Sequence, residues 1–120
     1  MRRAVLSLGL ALGTASGASA QNVEQVKAII AKMHVFMQSC AEQNYVKFDD
    51  RVSPADVVAN ATAAYCWKSG GAAIYEQADQ LVGLSREKKA AGAARHIRTA
   101  RDYALPLVLQ NRVSLLRDKR

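Results

Sequence analysis

The sequence predicts an all-α domain: a three-helix antiparallel bundle, or a helical hairpin plus a third kinked helix, carrying one disulfide. Three observations predict it. Apolar residues recur at helical spacing from Val23 to Cys40. Strong helix start and stop signals stand at Ser53-Pro54 and at Gly83 to Ser85. No sustained period-two alternation and no Asn-Gly or Asp-Gly hairpin suggests a strand.

Residues 1–20 read as a cleavable export signal. Arg2 and Arg3 give the positive start, Ala4 to Ala15 the short apolar middle, and Ala18-Ser19-Ala20 the small-residue cleavage box. The expected mature domain is 21–120, with helices near 22–48, 54–82 and 86–118. The apolar run is shorter than the roughly 20 residues that span a bilayer. The expected location is the periplasm or the exterior, where a Cys40–Cys66 disulfide is stable.

In the first helix, Asn22 is the expected N-cap and Glu24 complements the dipole. Val23, Val26, Ile30, Met33, Met37 and Cys40 follow in steps of three and four. Asp49 and Asp50 oppose the dipole at a C-terminus, so the helix should stop near Phe48.

For the second helix, Ser53 is the expected N-cap, with Pro54 at the first helical position. Val57, Ala61, Ala64 and Tyr65 form its expected buried face, resuming past Gly70-Gly71 at Ala72, Tyr75, Ala78 and Val82. The shared face favours one long bent helix, with the glycines permitting a close crossing. Gly83 is the expected C-terminal stop. The bridge supports this layout. Helix one ending near Phe48 puts Cys40 roughly 12 Å from its end, and Cys66 lies roughly 18 Å into helix two. A short turn then brings the two sulfurs within about one helical turn. In so small a domain the bridge should add about 2–4 kcal/mol.

The third helix is capped by Ser85. Ala90, Ala93, Ala94, Ile97, Ala100 and Ala104 form its expected narrow inner face. Pro106 is expected to kink or restart it. Beyond it, Leu105 to Leu116 is apolar nearly all round, more than one buried stripe requires.

The formal charge is +7 and it is uneven. Residues 21–82 carry five basic and seven acidic side chains, and 83–120 carry ten basic and three acidic. A basic segment fits anionic lipid headgroups, lipopolysaccharide or an acidic protein. Export argues against nucleic acid. The candidate partner-binding residues are Lys88, Lys89, Arg95, Arg98, Arg101, Leu107, Leu109 and Leu116, and the expected function is non-enzymatic binding in the cell envelope. One alternative is a structural or homo-oligomeric helical module.

Catalytic motifs are weak. Ser85-Arg86-Glu87-Lys88 fits S-x-x-K, but its companion motifs are missing and capping explains Ser85. Asn60-Ala61-Thr62 fits a glycosylation triplet inside a predicted helix. No enzyme, cofactor or metal is expected. A second alternative is a periplasmic copper-binding protein using Met33, His34 and Met37, since thioether and imidazole suit copper. Against it, Met33, Met37 and Cys40 belong to the core stripe. His96, among arginines, is expected to face solvent. Trp67 should pack over or shield the bridge.

Overall fold

In the computed structural model, backbone is described for residues 2–118 and side chains for 21–118. The elements in chain order are α1 (Arg2–Phe48), α2 (Ala55–Cys66), a π-helical turn (Trp67–Gly71), α3 (Ala72–Val82) and α4 (Arg86–Asp118). The α2–π–α3 run is unbroken, so the architecture is three helices. The side chains of residues 1–20, where an export signal was expected, including Ala18-Ser19-Ala20, lie outside the described residues. No described helix is long and apolar enough to cross a membrane.

α1 ends at Phe48 as expected. It does not begin at Asn22, which lies inside the helix and caps nothing. The preceding stretch is rich in Ala and Leu, the strongest helix formers, so nothing stops the helix there. The turn that follows is held by two aspartates. Asp50 Oδ1 accepts from the Val52 and Ser53 amides at 3.0 and 2.7 Å, and Asp50 Oδ2 from the Ser53 hydroxyl at 2.5 Å. These donors, Ser53 first, hold the Asp50 carboxyl down at about 2. With Ser53 so engaged, α2 starts one residue later than expected. Pro54 occupies the cap position, and its carbonyl accepts from Val57 and Val58 at 3.0 and 3.3 Å.

Asp49 ties the turn to the third helix. Arg112 donates to Asp49 Oδ1 at 2.8 Å and to the Ser53 carbonyl at 2.6 Å. The guanidinium lowers the Asp49 pKa more than burial raises it.

The π turn corrects the expected face of the second helix. The buried residues include Val58, Thr62 and Cys66 before it, then Gly71, Tyr75 and Ala78. Val57, Ala61, Ala64 and Tyr65 are exposed instead. A step of five from Cys66 to Gly71 replaces the usual three or four. One extra residue in the turn shifts the register by about 100°. The buried face past the turn therefore includes Tyr75 and Ala78 as expected, Val82 at the end of α3 is exposed rather than buried, and the face before the turn is displaced by one residue. Both glycines sit under α1. A Cβ on Gly70 would lie 2.5 Å from the Phe36 ring, and one on Gly71 2.6 Å from Met37 Sδ.

Gly83 stops α3 in the left-handed conformation, φ 61° and ψ 57°. The Ser85 hydroxyl accepts from the Lys88 amide at 3.2 Å and starts α4. α4 continues through Pro106 without restarting. The ring removes the bond to the Asp102 carbonyl, and Asp102 is exposed, so water can satisfy that oxygen. The buried stripe of α4 is Gly92, His96, Ala100, Ala104 and Val108, at strict spacing of four. Ala90 and Ala94, expected inside, are exposed.

Cys40 and Cys66 form the disulfide, joining α1 to α2 with a Cα–Cα distance of 5.8 Å. They belong to the larger core cluster with Met33, Met37, Tyr75 and Ala100. Trp67 packs against this cluster, its ring 5.6 Å from that of Tyr75. A smaller cluster of Ala41, Ala59 and Ala104 lies farther along.

Candidate functional site

The outward face of α4 carries five of the eight residues singled out in the sequence. At 100° per residue, Lys88, Arg95, Arg98, Leu109 and Leu116 fall within about 80° of one another. All five are exposed, Leu109 at 49% and Leu116 at 64%. Val113, 50% exposed, completes the apolar half. The sequence reading missed it as a site residue, although its spacing of four from Leu109 and three from Leu116 was visible. Asp102 shares this face and pairs with Arg101 at 2.9 Å. Lys88, Arg95 and Arg98 make no ion pair among the described residues.

The other three candidates lie elsewhere. Lys89 is held by Glu76 and, at 3.2 Å, by Asp79, clamping α4 to α3. Those carboxylates raise its pKa. Arg101 is occupied by Asp102, and Leu107 packs against the smaller core cluster.

A second constellation lies between α1 and α4. His96 is buried, contrary to the solvent-facing position expected from its arginine neighbours. Its place in the stripe with Gly92 and Ala100 turns it inward. There His34 Nε2 lies 3.3 Å from His96 Nδ1, with the rings edge-on. Tyr75 also packs edge-on against His96, ring centres 5.3 Å apart. Burial lowers the His96 pKa, helped by the charges of His34 and Arg95. The pair borders a cavity of about 20 Å³, also lined by Met33, Met37, Gln38 and Tyr103. That volume holds one water-sized particle. No group of three or more His, Cys, Asp or Glu side chains that could hold a metal occurs among the described residues.

Fold and sites together define a disulfide-linked, three-helix, all-α protein with an amphipathic outer helix face and an interhelical histidine pair. No family model, no curated protein and no solved structure matches the chain.

Proposed function

We propose that this chain is a small exported, non-enzymatic protein of the bacterial envelope, binding anionic lipid headgroups or lipopolysaccharide phosphates through the outward face of α4. The observation that carries the reading is the sharing of one exposed face by Lys88, Arg95 and Arg98 with Leu109, Val113 and Leu116. Export rests on the signal-like composition of residues 1–20.

The magnitudes favour a reversible contact. A basic side chain near an anionic membrane gains about 1 kcal/mol. Fully burying an aliphatic side chain gains about 1.5–3 kcal/mol, and these are already half covered. Neither half of the face anchors the protein alone, so binding should weaken as salt screens the basic half.

Sedimentation with anionic and neutral liposomes, at low and high salt, tests this. The expected result is salt-sensitive binding to anionic vesicles, lost in the double variant Arg95→Glu, Arg98→Glu. Failure to sediment with anionic vesicles at low salt would overturn it. Self-association through the Leu109–Val113–Leu116 stripe would then be the reading to test, by analytical ultracentrifugation.

A further inference from the structure

We infer that the cavity between α1 and α4 is a Cu(I) site, with His34 and His96 as imidazole donors and the thioethers of Met33 and Met37 as soft donors. The sequence alone offered three of these residues on one helix. The fold adds the fourth, sixty-two positions from its partner imidazole, and places all four in the lining of one small cavity.

The nitrogen separation fits a shared metal. Two imidazole nitrogens at about 2.0–2.1 Å from one tetrahedral ion lie about 3.3–3.4 Å apart. The observed distance is 3.3 Å. A hydrogen bond between neutral imidazoles gives the same separation, so the remaining lining decides. It contains two methionine side chains and no carboxylate. Both cysteines are in the disulfide, so no thiolate is available. Neutral imidazole and thioether donors suit soft Cu(I), whereas calcium or magnesium needs oxygen ligands.

Entry is open from the rim, where His34 is half-buried and Gln38 and Thr99 are exposed.

The test is anaerobic Cu(I) titration of the purified, disulfide-intact protein against a colorimetric Cu(I) chelator. One Cu(I) per chain should leave the chelator. His34→Gln and His96→Gln should each weaken binding by at least roughly tenfold, as should the volume-conserving pair Met33→Leu, Met37→Leu. Excess Zn(II) should not displace the bound ion. Because His34 is half-buried, His34→Gln serves as the decisive variant should His96→Gln fail to fold, with circular dichroism as the check on each. Cu(I) remaining wholly with the chelator would overturn the proposal. Equal affinity in the wild type and a folded His34→Gln variant would also do so, and so would equal affinity in the double Met variant.

Discussion

Gly92 shows how a single missing methyl group sets a helix contact. A Cβ there would run into the Tyr75 hydroxyl, which donates to the Lys89 carbonyl at 3.3 Å. Alanine normally improves a helix by about 1 kcal/mol over glycine. Overpacking costs about 1–3 kcal/mol, so the clash should win. Gly92→Ala is expected to lower the melting temperature. In a Tyr75→Phe background the obstructing oxygen is gone and the nearest ring carbon stands 3.1 Å away, so the same change should cost clearly less. A double-mutant thermal melt measures the difference. The same packing explains His96. Arg95 and Arg98 stand close to it in sequence, and local polarity reads as exposure. Burial is decided four residues away, by Gly92 and Ala100, whose small size lets α4 approach closely. Nothing local to His96 announces that His34 will face it.

At the scale of elements, the ends of the second and third helices were legible and the face of the second was half legible. Gly83 and Ser85 act as expected because their signals are local. The face of α2 was not readable because a constant helical period carries no information about an inserted residue. The spacing from Cys66 to Gly71 holds that information only once burial is known. The consequence can be measured. Deleting exposed Ser69 should convert the π turn to regular helix and leave the α2 and α3 faces buried as they are. Deleting exposed Gln77 instead, beyond Tyr75, should rotate Ala78 and the end of α3 by about 100° relative to Tyr75 and destabilise the domain. Circular dichroism and thermal melts of the two deletions compare them; equal stability of both would contradict the register argument. On α4, 3.6-residue periodicity places Leu109 and Leu116 on the face of Lys88, Arg95 and Arg98 without tertiary information, but an apolar surface nearly all round the helix left open which side faces out. The same periodicity sets Lys89 about 100° from Lys88, but its pairing with Glu76 and Asp79 was not legible, since those carboxylates lie on α3.

For the whole molecule, the core is built largely from small residues: alanines at 41, 59, 63, 100 and 104, with Met33 among the few large buried side chains. Small side chains permit close helices but bury little area, so the covalent link matters. Cys40 and Cys66 are 26 residues apart, and closing a loop of that length stabilises by about 3–4 kcal/mol. Reduction should therefore lower the melting temperature by roughly 15–25 °C. A melting curve unchanged by reductant would show that the helices hold without the bridge. The pairing itself was legible because two cysteines and a short turn between two helices allow one solution.

The turn between Phe48 and Ala55 and the three residues from Gly83 to Ser85 are the connections of the three-helix fold. Helices that are neighbours in sequence meet across short closures, so the search for the native topology costs little loop entropy. In kinetic terms, Cys40 and Cys66 come together in a hairpin that can form before either sulfur is oxidised. Where that hairpin is already formed at the folding barrier, the bridge speeds refolding of the oxidised chain and changes unfolding little.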